Sequence, residues 1–321
     1  MVPAVAAARP LDHRSCPEGA LLALAASLLA PGSAAGQEGP VFPAETRLVV
    51  LHATVRNPRG ELVTNLDRGA FTVYENGKAQ PIAFFRRDDI PVSLGLLIDN
   101  SGSMRKLRTR VEATGLACVR ASNPQDEVFV LNFADKAHID VAFTSDVHAL
   151  EAGIARPDSI GGTAMHDAIE MGTQYLYEHS RRDRKVLLVI TDGFDNASAA
   201  SIDQIRTLAE QREIVIYAIG LLDEEEASKA KSARHELDQL AEWTGGAAYY
   251  PVGQEGLDEA ALAIARQIRS QYTIGYAPPE QSLDGSYRKL RVVAKGAEKL
   301  SVRTRSGYRA VPLAQGTLPG R

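Results

Sequence analysis

Two apolar runs, each leading into an aspartate, constrain this chain more than any other feature. Val92-Ser93-Leu94-Gly95-Leu96-Leu97-Ile98 leads into Asp99, and Lys185-Val186-Leu187-Leu188-Val189-Ile190 leads through Thr191 into Asp192. Short apolar runs without alternation read as parallel strands buried on both faces. Parallel neighbours need long crossovers, which the intervening residues supply as helices. The segment 107–121 carries Leu107, Val111, Thr114, Ala117 and Cys118 at helical spacing, and further helices are predicted over 146–155, 164–179, 201–212, 229–244 and 257–268. Other strands are predicted over 127–133, 137–143, 214–221 and 247–251. The turn Ala134-Asp135-Lys136 is too short for a parallel crossover, so the strand after it is expected antiparallel and at an edge. The predicted fold class is α/β, a doubly wound, mostly parallel six-stranded sheet of the Rossmann-like kind.

In such a sheet the loops at the carboxyl ends of the strands meet in one crevice. The first of them, Asp99-Asn100-Ser101-Gly102-Ser103-Met104, holds a carboxylate and two hydroxyls at alternate positions, and Gly102 permits a tight turn. Thr163 follows the pair Gly161-Gly162, and Asp192 precedes Gly193. Hard oxygens of this kind suit Mg²⁺ or Mn²⁺. Each residue also has a plainer explanation. Asp99 and the serines can cap a helix and close a turn, Thr163 can be an N-cap, and Asp192-Gly193 can be an ordinary turn. The order of all five on these elements is what points to a metal.

This pattern resembles the von Willebrand factor A-domain superfamily, whose metal-ion-dependent adhesion site is built from Asp-x-Ser-x-Ser, a later Thr and a later Asp. The matching residues are Asp99, Ser101, Ser103, Thr163 and Asp192, and the resemblance spans residues 91–269. The flanks are similar to a bacterial secreted subfamily related to the A-domain. The resemblance implies direct coordination by Ser101 and Ser103, direct coordination by Thr163 in the ligand-bound arrangement, and contacts through water for Asp99 and Asp192. The direct protein ligands are then neutral, and the metal keeps an open position suited to a carboxylate from another molecule. The implied function is an exported, metal-dependent protein-binding module for adhesion or assembly, not an enzyme, with a partner that presents an Asp or Glu carboxylate. A metal-dependent hydrolase and a metal-free scaffold of an envelope complex are the alternatives.

Sequence signals for catalysis are weak. Gly-x-Ser-x-Gly, a P-loop and Gly-x-Gly-x-x-Gly do not occur, and His235-Glu236 lacks a second zinc-ligating histidine because Gln239 stands in its place. His166 lies near the proposed site and is expected to be a packing or surface residue. Asp195 and Asn196 are expected to line its rim or to close the loop.

Outside the central domain the pattern differs. Residues 1–36 have a charged start, an apolar run over 20–29 and the small residues Ser33-Ala34-Ala35, the order of a secretory signal peptide. That run is too short to span a bilayer, so no transmembrane span is expected after its removal. The expected location is secreted, periplasmic or in the cell envelope. With Cys16 removed, Cys118 has no partner in the mature chain and is expected in the core. The net charge of −4 gives no support for nucleic-acid binding. Residues 45–90 form a predicted N-terminal β module with strands over 48–55, 71–74 and 79–85, the last two joined by an Asn76-Gly77 hairpin turn. Residues 270–310 carry predicted strands over 272–276, 287–294 and 300–304. Isolated hairpins are marginal in water, so the two flanks are expected to form one small β unit. A disordered tail is expected over 311–321.

Overall fold

The computed structural model describes residues 48–311 apart from 88, 156–159 and 223–226. The expected signal segment, nearly all of the expected tail and the acidic run at 223–226 lie outside the described residues. Four strands come first: β1 (Val49–Arg56), β2 (Phe71–Glu75), β3 (Lys78–Gln80) and β4 (Ile82–Arg86). The central domain then alternates β5 (Val92–Asp99), α1 (Arg108–Ala121), β6 (Glu127–Phe133), β7 (Ala137–Thr144), α2 (Val147–Ile154), α3 (Met165–His179) and β8 (Arg184–Thr191). It continues with α4 (Ile202–Arg212), β9 (Ile214–Gly220), α5 (Ala227–Thr244), β10 (Ala248–Tyr249) and α6 (Gly253–Arg269). Four strands close the chain: β11 (Tyr272–Tyr276), β12 (Tyr287–Ala294), β13 (Ser301–Arg303) and β14 (Gly307–Arg309).

The central sheet has six strands in the order β10-β9-β8-β5-β6-β7. All neighbours are parallel except β7, which runs antiparallel to β6 at the edge, as the short turn before it requires. Every residue of β5, β6 and β9 is buried, and every residue of β8 except half-buried Lys185, because helices cover both faces. Leu94, Leu96 and Ile98 pack on one side with Val111, Cys118, Leu257 and Ile264 of α1 and α6. On the other side Leu97, Phe129 and Leu187 pack with Ile169, Leu176 and Leu240. Gly95 yields its place to these larger neighbours, since a Cβ there would sit 2.6 Å from Leu187 Cδ2. The expected doubly wound α/β class is therefore the observed one.

Several local expectations are corrected. The helix predicted from residue 107 starts at Arg108, after a 3-10 turn over Ser103–Leu107. The strand predicted over 247–251 is only Ala248–Tyr249. The strand predicted over 79–85 is two strands in different sheets, divided at Pro81, which has no N–H to give to a ladder. Gly307–Arg309 pairs with β12 as an additional strand.

The flanks form two four-stranded sheets, β13-β1-β11-β4 and β14-β12-β2-β3. Val49 pairs with Tyr276 and Ala53 with Tyr272, so the first and last parts of the chain share a ladder. The two sheets enclose one core that includes Leu51, Val73, Ile274 and Val292. Buried Glu75 lies within it, accepting from the Tyr276 hydroxyl, from the Tyr308 hydroxyl at 3.0 Å and facing Arg288 at 3.5 Å. Asn76 and Gly77 both have positive φ, 48° and 81°, which is the turn that their sequence predicts. Fully buried Arg184 at the start of β8 donates to Ile268 O at 2.6 Å and to Thr273 Oγ1 at 3.2 Å. It thereby ties the central sheet to α6 and to β11.

Candidate metal centre

Between β5 and β8 the strand order reverses direction, because the chain from β5 goes on to β6 on one side while β8 leads to β9 on the other. A sheet leaves an open crevice at such a switch point. Asp99 ends β5 there, 1 % exposed. Its Oδ1 accepts from Ser101 N at 2.8 Å, which closes the loop, and its Oδ2 accepts from Thr191 Oγ1 at 2.6 Å. The turn-closing role is thus real, yet each carboxylate oxygen keeps acceptor capacity. The 3-10 turn then brings Ser103 back so that its Oγ lies 3.0 Å from Ser101 Oγ. Ser101 is buried, whereas Ser103 faces the cleft.

Thr163 reaches the same cleft from the loop before α3. Its cap position is taken by Ala164, which makes no side-chain cap, so an N-cap role does not account for Thr163. The loop is held by its neighbours instead. Thr163 N donates to Asn196 Oδ1 at 2.9 Å, and Asn196 N returns a bond to Thr163 O at 3.0 Å. Gly162 N donates to Asp135 Oδ1 at 2.6 Å, and Gly102 N to Gly161 O at 3.1 Å. Asp192 is half-buried and lines the cleft together with Ser103, Thr163 and Asn196. Gly193, at φ 87°, turns the chain after it and donates its N–H to Thr191 Oγ1 at 2.9 Å. All five expected residues therefore meet in one corner.

The electrostatics of that corner favour a cation. Burial, and then the charge of Asp192, pushes the Asp99 carboxyl up to about 7, although hydrogen bonds from Ser101 and Thr191 pull the other way. A buried carboxylate with a second one beside it is costly without a countercharge. The other donors are neutral hydroxyls, so the oxygen set fits a hard divalent ion.

Thr191 and Asp135 were not evident in sequence as contributors, and Asn196 was expected only to line the rim or to close the loop. Thr191 holds Asp99, Asp135 holds the Gly161-Gly162 turn, and Asn196 clamps Thr163. Asp135 had one legible signal, its place just beyond the carboxyl end of β6. His166 proves to be a strut. Its Nδ1 lies 3.0 Å from Ala200 O, its Nε2 bonds Glu236 Oε1, and its N–H donates to Asp195 Oδ2 at 2.8 Å. Burial lowers the His166 pKa, but Glu236 and Asp195 outweigh it and hold the ring above its ordinary value.

A doubly wound α/β domain with a hydroxyl and carboxylate cluster at its switch point is thus the class that fold and site define. Residues 94–194 match the family model described as the von Willebrand factor type A domain. Among curated proteins no sequence match is found. Solved structures with a similar shape include an aerotolerance-related membrane protein from Bacteroides fragilis, with 18% identity, 55% of this chain and 98% of that chain covered and a TM-score of 0.44. The vWF domain of the type V pili tip protein Mfa5 from Porphyromonas gingivalis is 14% identical over 56% of this chain and 95% of its own, with a TM-score of 0.48. Proximal thread matrix protein 1 from the mussel byssus, with a zinc-occupied MIDAS motif, is 18% identical over 60% of this chain and 49% of its own, also with a TM-score of 0.48. Among the described residues, no helix is long and apolar enough to cross a membrane.

Proposed function

We propose that this chain is a metal-dependent protein-binding module that grips an acidic residue of a partner protein through a divalent cation, Mg²⁺ or Mn²⁺. Ser101, Ser103 and Thr163 would hold the ion directly, with Asp99 and Asp192 behind them. The ion would supply a positive, open coordination position for the partner's carboxylate. What supports the reading is the convergence of three loops on one corner, where the Ser101 and Ser103 hydroxyls lie 3.0 Å apart in front of buried Asp99. A binding role is favoured over turnover because His166, the imidazole next to this loop, is engaged at both ring nitrogens. No other reading has an observation of its own in its favour.

Calorimetric titration with Mg²⁺, Mn²⁺ and Zn²⁺ tests the site. Wild type is expected to bind at least one of them, and Asp99→Ala to bind none. Equal binding by both proteins would mean that these residues do not hold the ion.

The reading extends to export, which rests on the sequence of residues 1–36 alone. N-terminal sequencing of the protein from its native host is expected to start within a few residues of Gly36. Retention of Met1 would contradict export.

A further inference from the structure

The helix that follows the Thr163 loop begins without a cap of its own. Its N-cap residue, Ala164, makes no side-chain bond, whereas α2 is capped locally by Asp146 and α4 by a Ser201–Gln204 capping box. A helix start leaves four N–H groups without intrahelical acceptors. Three of those in α3 are taken by distant segments. Ala164 N donates to Ala134 O at 2.7 Å, His166 N to Asp195 Oδ2 at 2.8 Å and Asp167 N to Ser198 Oγ at 3.1 Å. The last contact has a return half. The Asp167 carboxylate accepts from Ala199 N at 3.1 Å and from Ala200 N at 2.9 Å, just after Ser198.

In an ordinary capping box, a serine at the cap accepts from the third helical N–H, and the side chain at that third position accepts from the cap's own backbone. Ser198 and Asp167 make the same kind of exchange across 31 positions, so the serine half of the box comes from the segment after Asp192. Ser198 is itself fixed, because its N–H donates to Asp195 Oδ1 at 3.1 Å and its hydroxyl to Asp195 Oδ2 at 2.6 Å. Capping from outside leaves the Thr163 hydroxyl, one residue before the cap, to the cleft that Thr163 lines. The exchange also fastens the start of α3 to the loop that leaves Asp192, so both residues stand on one laced unit before any ion arrives. A hydroxyl is a neutral ligand that contributes little energy for ordering a loop, and a site built on hydroxyls gains most from a loop ordered in advance.

We propose that Ser198 and Asp167 are positioning residues for the metal site, and that their exchange sets where the Thr163 hydroxyl stands. The proposal rests on the metal-grip reading and extends it to residues outside the ligand motif.

Calorimetric titration of the full chain with Mg²⁺, Mn²⁺ and Zn²⁺ tests it, using Ser198→Ala, which removes the hydroxyl, and Ser198→Thr, which keeps it. Loss of a group that orients a metal ligand costs about 10–100-fold in affinity, so Ser198→Ala is expected to bind at least about tenfold more weakly than wild type. Ser198→Thr is expected to bind like wild type. The same Ser198→Ala change made in Thr163→Ala should cost less than about twofold, because a residue that acts through Thr163 then has nothing left to position. A merely structural loss would appear equally in both backgrounds. In metal-free protein, amide hydrogen exchange over residues 163–167 should quicken in Ser198→Ala while the amides of β5 and β8 keep their protection. Asp167→Ala, from the other half of the exchange, carries the same comparisons if Ser198→Ala unfolds.

The outcomes separate the two ideas. An equal loss in both backgrounds overturns the proposal, and so does wild-type affinity in Thr163→Ala. Unchanged affinity or unchanged exchange in Ser198→Ala also overturns it, as does a loss in Ser198→Thr as large as that in Ser198→Ala. In each of these cases the metal grip stands as long as wild type binds an ion that Asp99→Ala does not. If Thr163→Ala binds no ion, the exchange rates and the Ser198→Thr comparison decide. If wild type binds none of the three ions, the grip itself fails and the proposal with it.

Discussion

Thr191 Oγ1 donates to Asp99 Oδ2 at 2.6 Å, across the point where the central sheet reverses its winding. The bond joins the last residues of β5 and β8, two strands held in register up to Ile98 and Ile190. The same hydroxyl oxygen accepts from Gly193 N at 2.9 Å, so one threonine sets both carboxylate loops. Replacing Thr191 by the near-isosteric valine removes these bonds and keeps the volume. Leaving such buried groups unpaired costs about 1–3 kcal/mol, and urea unfolding of the metal-free protein should show a loss of that size. An unchanged midpoint would mean that the bond has no structural weight.

Metal binding should appear as stability. A ligand that binds only the folded chain stabilises it by about 2.7 kcal/mol at a hundredfold excess over its Kd. Thermal unfolding in saturating Mg²⁺ or Mn²⁺ is therefore expected several degrees above that in EDTA. In Asp99→Ala the two curves should coincide. A metal-induced rise that survives in this variant would place the ion elsewhere.

Gly161 holds a left-handed backbone at φ 95°, and a Cβ there would lie 2.6 Å from Asp135 Cγ. Gly161→Ala should cost at least about 1–2 kcal/mol from the backbone alone and weaken metal binding by displacing the Thr163 loop. Part of the cost is a clash with one side chain. Adding Asp135→Ala removes that clash, so the double variant should lose less than the sum of the two single losses. Strict additivity would show that the two residues do not interact.

His166 links stability to pH. Its ordinary pKa is 6.5, and the carboxylates of Glu236 and Asp195 raise the folded value above that against the effect of burial. The folded chain therefore holds this proton more tightly than the unfolded chain does. The stability that results is fully present below about pH 6.5 and is lost as pH rises through the folded value. Asp99, also raised, contributes a slope of the same sign in metal-free protein, so the comparison must be with His166→Gln. Urea midpoints measured from about pH 6 to about pH 8.5 should fall more steeply in wild type than in that variant. Parallel profiles would refute the link.

The core of the site was legible because it is local. Asp99, Ser101 and Ser103 lie within five residues at the end of an apolar run, and parallel strands place such ends at one edge. Thr163 and Asp192 followed from the same rule, applied to their own strand and loop. Asp135 was harder to see, and Asn196 was expected only at the rim or in the loop closure, since neither stands out chemically. Asp135 meets Gly162 across 27 positions and Asn196 meets Thr163 across 33, contacts that depend on how two loops happen to lean together.

The sequence by itself determined which strands are buried on both faces, where their polar ends emerge and which oxygens are offered there, because apolarity and spacing act along the chain. Tertiary structure alone decided the partners. It set β1 beside β11, divided β3 and β4 between two sheets and placed Lys106, Arg110 and Lys229 around one cleft. The physical reason is that a residue pattern states that a face must be covered without naming what covers it. Closing a longer loop costs little more than closing a shorter one, so distant segments compete on nearly equal terms until packing selects among them.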